Sequence, residues 1–181
     1  MTNPATFFFN TLNNLYSLTL QKSDKAPDIV LKLSELMSYM LYQSNTPTVL
    51  LEDEINYLQN YVELEKLRFG KRLSVEFLIE GEIGDIKIPP LILILFVENS
   101  FKHGVKNFID KIKISICIKI SDNYLWFEVD NSVMPNDENK SIGGIGIKNA
   151  KRRLSLLFAD RYELETSQQN GRYAVNLKFP V

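Results

Sequence analysis

The sequence predicts an α+β protein: a mixed sheet packed on helices, preceded by a helical region. Three observations predict it. The first 70 residues carry apolar positions at helical spacing, the chain after Gly70 switches to strict alternation, and one apolar helical stretch interrupts the strands. The helical region is read as residues 1–70 and the sandwich as residues 71–181.

The elements follow in order. Phe8, Leu12, Leu15 and Leu18 or Leu20 give an apolar face from about Phe7 to Gln21. Ser23 to Pro27 breaks and restarts the chain, with Pro27 near a helix start where its missing N–H costs nothing. Ile29, Leu33, Leu36 and Met40 mark a second helix, its stripe widened by Val30, Met37 and Leu41. After Ser44-Asn45-Thr46-Pro47, a third helix carries Leu51, Ile55, Leu58 and Val62 and stops at Gly70. Three amphipathic helices in so short a segment bury little alone, so they require partner surface, met most simply by a homodimer.

Leu73, Val75 and Phe77 then alternate with polar neighbours up to Gly81, and residues 89–103 read as a largely apolar helix. Ile112 to Ile120 alternate on one strand, Ser121-Asp122-Asn123 makes the turn, and Leu125, Phe127 and Val129 line the return strand. A polar loop from Asn131 to Ser141 leads to a glycine-rich helix start and a helix to about Phe158. Two final strands flank Asn170-Gly171, a strong hairpin signal.

Composition narrows the function classes. The 181 residues are 45% hydrophobic and 24% charged, with a net charge of −1 and dispersed Lys and Arg, so no basic footprint predicts direct nucleic-acid binding. The single cysteine, Cys117, permits no internal disulfide or cysteine-built zinc site. No apolar run is long enough to span a bilayer, so membrane attachment is expected only through a segment absent from this chain.

Two stretches could carry chemistry. Asn99, Lys102 and His103 lie three to four residues apart at the end of the apolar helix. An amide oxygen suits a hard cation such as Mg²⁺, and Lys with His can meet phosphate oxygens, a combination fitted to ATP. Taken singly, His103 would be a helix C-cap. Gly143, Gly144 and Gly146, followed by Lys148 and Asn149, open a helix where backbone N–H groups can approach an anion, though glycines there also serve as hinges. Their spacing matches neither the P-loop nor the dinucleotide fingerprint. Asp130 and Asn131 end a strand beside this loop. Parity places Asn131 on the inner face with Phe127 and Val129, where a base could sit, and the alternative is a simple strand terminus. Lys151, Arg152 and Arg153 read as a solvated helix face, one of which could reach a phosphate or an acidic partner.

Five ordered segments carry a family resemblance over almost the whole chain. They are Phe7 to Asn13, Tyr61 to Gly70, Ile88-Pro89-Pro90, Val97-Glu98-Asn99 through His103-Gly104, and Gly143-Gly144-Ile145-Gly146 through Leu154. They resemble the cytoplasmic core of LytS/YehU-type sensor histidine kinases. The resemblance implies a helical dimerisation and phosphoacceptor region followed by a Bergerat-type (GHKL) domain that binds ATP and Mg²⁺. It implies Asn99 as the Mg²⁺ ligand, Lys102 and His103 near the phosphates, and Gly143, Gly144 and Gly146 as the glycine box. It also implies Asn131 in place of the adenine-recognising aspartate, or Asp130 if a bulge shifts the strand. The implied partner is a response regulator, commonly of LytTR type, and the implied place is the cytoplasmic side of an inner-membrane sensor.

Three departures shape the expectation. The Asp-x-Gly-x-Gly motif is degenerate, since Ser132 and Val133 follow Asn131. Thr6 falls where the family carries its acceptor histidine, so this chain is expected not to phosphorylate itself. Leu95 occupies the place of the glutamate with which related ATPases activate water, so little ATP hydrolysis is expected. The alternative function is a non-catalytic nucleotide-binding or dimeric interaction module. A GHKL ATPase of the chaperone or repair type is disfavoured by Leu95.

Overall fold

A computed structural model describes residues 4–105, 112–133 and 145–181. Its N-terminal third is helical: α1 (Pro4–Leu20), α2 (Ala26–Ser38), one π-helical turn over Tyr39–Gln43, and α3 (Leu51–Phe69). Pro27 sits in the first turn of α2, where proline displaces no hydrogen bond. Helix α3 opens with Glu52, Asp53 and Glu54 and closes with Lys66 and Arg68, charges that complement its dipole, and Gly70 ends it at φ 57°.

α1 has two apolar faces rather than one. Phe7, Phe8, Leu15 and Leu18 pack inward, with Thr11 buried among them, while Phe9, Leu12, Tyr16 and Leu20 lie on the exposed side. Leu12 and Leu20 therefore leave the inner stripe assigned to them from spacing. The same holds on and after α2: Ile29, Leu33 and Leu36 are buried, whereas Val30, Met37 and Leu41 are exposed.

The sandwich follows as β2 (Leu73–Glu80), α4 (Ile94–Val105), β4 (Ile112–Ser121), β5 (Tyr124–Ser132), α5 (Ile145–Phe158), β6 (Glu163–Gln169) and β7 (Arg172–Pro180). Two short strands, β1 (Val49–Leu50) and β3 (Lys87–Ile88), pair antiparallel ahead of the helices they precede. The main sheet runs β2-β4-β5-β7-β6. Among the described residues only β2 and β4 pair in parallel, and α4 lies in the crossover between them. The expected helix over residues 89–103 begins later, at Ile94. Pro89 and Pro90 lack N–H donors, and Leu91 takes φ 54°, so the main chain there cannot enter the ladder of an α-helix.

Alternation sets the sheet's two faces. Ile112, Ile114, Ile116 and Ile118, with Leu125, Phe127 and Val129, and Val175, Leu177 and Phe179, are buried beneath α4 and α5. Phe96 of α4 meets Phe127, and Phe158 of α5 meets Phe179, with ring centroids 6.1 and 4.7 Å apart. Both hairpin turns carry the left-handed residues their sequences promise: Asp122 and Asn123, then Asn170 and Gly171. The helical segment and the sandwich share one continuous core, in which Tyr61 of α3 stacks on Phe7 of α1 and sits edge-on to Phe101 of α4.

Candidate functional site

α4 and α5 cover the same face of the sheet, and they meet at Asn99 and Gly146. The Asn99 Nδ2 donates to the Leu95 carbonyl at 2.7 Å, one helical turn back, which fixes the direction of the amide. A Cβ built on Gly146 would stand 2.7 Å from Asn99 Oδ1 and 2.9 Å from Nδ2. Only a residue without a side chain lets the start of α5 lie this close to the amide. Two segments 47 positions apart in the chain are thus brought into contact, with a helix N-terminus beside a potential cation ligand.

Asn131 is fully buried on β5, as parity predicted. Its Nδ2 donates to the Ser132 carbonyl at 3.0 Å, and its Oδ1 has no hydrogen-bond partner. An unsatisfied buried acceptor costs about 1–3 kcal/mol, so the position suits a ligand that brings a donor. The bulge that would have turned Asp130 inward is not formed. The pairing runs unbroken from Ser115–Asp130 to Ile114–Asn131 on one side and from Ala174–Asp130 to Tyr173–Asn131 on the other. Asp130 instead shares the outer face with Trp126 and Glu128 and pairs with Arg172.

The remaining sequence candidates divide. Lys102 is half-buried on α4, and Lys148 and Asn149 are exposed in the first turns of α5. Gly143 and Gly144 lie outside the described residues, as does the side chain of His103. Leu95 is half-buried, and its carbonyl serves Asn99. Thr6 is exposed on α1, one residue before the Phe7 that stacks on Tyr61. Among the described residues no group of three His, Cys, Asp or Glu side chains could hold a metal ion. The side-chain amide of Asn99 falls outside that class.

One feature of the surroundings escaped the sequence reading. Glu54, fully buried in the first turn of α3, accepts hydrogen bonds from the Tyr39 hydroxyl and, at 2.5 Å, from the Leu91 N–H. Burial pushes its carboxyl above the ordinary value, opposed by those two donors and by the charge of Arg153. Burial likewise raises Tyr39, helped by the Glu54 charge. Arg153 is not part of a solvated face, because it donates to the Leu91 carbonyl at 3.1 Å and the Pro90 carbonyl at 2.5 Å. The only sequence trace of Glu54 is its place among three acids at a helix start, which a dipole argument absorbs.

Comparison with known proteins bears on the same arrangement. A family profile described as histidine kinase matches residues 3–73. The chain is 28% identical over 186 residues to the sensor protein LytS of Staphylococcus epidermidis, covering 96% of this chain and 32% of that protein. It is 27% identical over 175 residues to the sensor histidine kinase BtsS of Escherichia coli, covering 96% and 31%. Over almost its whole length the chain is similar to LytS-type sensor histidine kinases. It spans about a third of the length of these relatives. Among solved structures, the histidine kinase domain of the blue-light activated kinase of Erythrobacter litoralis superimposes with a TM-score of 0.54 at 13% identity, over 97% of this chain and 95% of that one. The catalytic domain of the histidine kinase ThkA gives a TM-score of 0.51 at 17% identity, over 74% and 95%. These two likenesses establish the shared α+β fold. No helix among the described residues is long and apolar enough to cross a membrane.

Proposed function

We propose that this chain is the kinase core of a two-component sensor, which binds Mg²⁺–ATP where α4 meets α5. Residues 1–70 would serve dimerisation and acceptor presentation, and residues 71–181 nucleotide binding. The observation that carries the reading is the contact of Gly146 with Asn99, a cradle that a Cβ would fill.

In this reading Asn99 Oδ1 faces the cation while Nδ2 stays anchored on Leu95. Gly146 lets the N-terminal amides of α5 approach the phosphates, and Lys102 of α4 would supply positive charge. The unpaired Asn131 Oδ1 accepts from the exocyclic amine of adenine; guanine, which offers a carbonyl there, is rejected because two acceptors would face each other. Bound Mg²⁺ would neutralise charge developing on the transferred γ-phosphoryl group. Leu95 has no proton-accepting group, so water is not activated beside the metal ligand.

Thr6 has no imidazole and does not receive the phosphoryl group; an intact partner histidine would, and an aspartate of a response regulator, by family resemblance of LytTR type, would receive it next. A homodimer is proposed from the outward faces of α1 and α2, where Phe9, Leu12, Tyr16, Leu20 and Val30 are at least half exposed. A monomeric mass by light scattering across micromolar concentrations would contradict it. The cytoplasmic face of a membrane sensor is the proposed setting, through a segment absent from this chain.

The function is tested by calorimetric titration with a non-hydrolysable ATP analogue and Mg²⁺. Saturable binding that is lost in Asn99→Ala is expected. Thr6 itself favours a second reading, a dimeric module without catalysis, and absence of any nucleotide binding by the folded protein would select it.

A further inference from the structure

Glu54, Leu91 and Arg153 join three helices at a single peptide unit. Leu91 takes φ 54°, a left-handed conformation that a branched, bulky residue rarely adopts unless its surroundings impose it. The imposing groups are visible. Its N–H is held by Glu54 of α3, and its carbonyl by Arg153 of α5, whose other nitrogen holds Pro90. Ile92 and Leu93 follow, fully buried, and the Leu93 carbonyl accepts the N–H of Phe96, at 3.1 Å, in the first turn of α4. The direction of α4, and with it the position of Asn99, is therefore launched from Leu91.

α5 is tied to the same point. Gly146 and Arg153 are seven residues apart, two helical turns, and so share one face of α5. Gly146 lies against Asn99 and Arg153 against the turn from which α4 begins. The third partner comes from the helical segment: Tyr39, in the π-helical turn that extends α2, donates its hydroxyl to Glu54. Its ring is fixed on Tyr57 of α3, with centroids 4.8 Å apart.

We infer that Glu54 is a positioning residue through which the end of α2 sets the affinity of the nucleotide site. Withdrawal of Tyr39 or Glu54 removes the hold on Leu91, lets its backbone leave the left-handed conformation, and moves the start of α4 relative to α5. Coupling of this kind is reciprocal, so nucleotide binding must in turn tighten the Leu91 contact. The inference rests on the Mg²⁺–ATP reading of the Asn99–Gly146 site.

The test uses the whole chain, a non-hydrolysable ATP analogue with Mg²⁺, calorimetry, and amide hydrogen exchange at Leu91. In the wild type, nucleotide is expected to slow Leu91 exchange about fivefold or more. Tyr39→Phe keeps the buried ring and deletes only the hydroxyl, and Glu54→Gln weakens the hold on Leu91 by replacing the carboxyl that accepts from both Tyr39 and Leu91 with an amide of the same shape. Each is expected to remain folded and to bind the nucleotide about fivefold or more weakly. Asn60→Ala, on the same helix as Glu54, removes an exposed contact to Glu35 of α2 and is expected to bind as the wild type does. Should Glu54→Gln not fold, Tyr39→Phe and the wild-type exchange measurement decide alone. Unchanged affinity in folded Tyr39→Phe, or Leu91 exchange indifferent to bound nucleotide, would overturn the inference while leaving the site intact. Failure of the wild type to bind nucleotide would instead overturn the site itself, and the inference with it.

Discussion

Replacing Gly146 by alanine separates folding from binding. The added Cβ would stand 2.7 Å from Asn99 Oδ1, whereas ordinary contact begins at 3.4 Å, so the amide must retreat by the difference, about 0.7 Å. Asn99 cannot simply swing away, because its Nδ2 is tied to the Leu95 carbonyl at 2.7 Å. Breaking that bond costs about 0.5–1.5 kcal/mol. Alanine offsets this with up to about 0.5–1 kcal/mol of helix preference, less in a first turn. Net stability should therefore stay within about 1 kcal/mol of the wild type. Binding has no such offset: holding Asn99 in the position proposed for it as a metal ligand, against the new methyl, is overpacking worth about 1–3 kcal/mol. That corresponds to an affinity loss of roughly fivefold to over a hundredfold. Calorimetric titration with the ATP analogue, with and without Mg²⁺, reads the loss, and a thermal melt reads the fold. The reasoning fails if Gly146→Ala binds Mg²⁺-nucleotide like the wild type, or if the protein loses its cooperative melt.

Asn131→Leu removes a buried acceptor that lacks a partner, so urea denaturation should show stability unchanged or raised while nucleotide affinity falls; a loss above about 2 kcal/mol would contradict this. Incubation with γ-labelled ATP should leave the wild type unlabelled, and Thr6→His should acquire an acid-labile, base-stable label. Label on the wild type would refute the assignment of position 6. Burial raises both Glu54 and Glu65, so the folded state holds their protons more firmly than the unfolded chain. Their stabilising contribution is complete below the unfolded value of 4.5 and is lost as pH climbs through the raised folded values. Urea unfolding of Glu65→Gln at a series of pH values above that point should show a shallower decline with pH than the wild type, and an equal slope would remove Glu65 from the account.

What could be read from residue order was local. Alternation marked the buried row from Ile112 to Ile118 and carried Asn131 to the inner face, because side chains in a strand repeat every two residues. The three helices were legible from apolar residues at helical spacing and both tight turns from their turn residues, while Asn99 and the glycine-rich helix start could each be singled out as motifs. Spacing was less informative about which side of an apolar helix is inward. α1 and α2 carry apolar residues on two faces, and only packing decides that Leu15 is covered and Leu12 is not.

The tertiary structure alone decided the rest. Glu54 reaches Leu91 across 37 positions, and Arg153 reaches it across 62. No periodicity encodes such distances, and each residue viewed locally has an ordinary explanation: an acid at a helix start, a leucine after two prolines, a basic run on a helix. The same holds for the 2.7 Å approach of Gly146 to Asn99, which turns a flexible-looking glycine into a steric requirement. Sequence by itself determined the elements and the chemistry available to them, since both depend on neighbours a few residues away. Their convergence on one site, and the tie from that site to the end of α2, depended on long-range packing that forms only when the core closes.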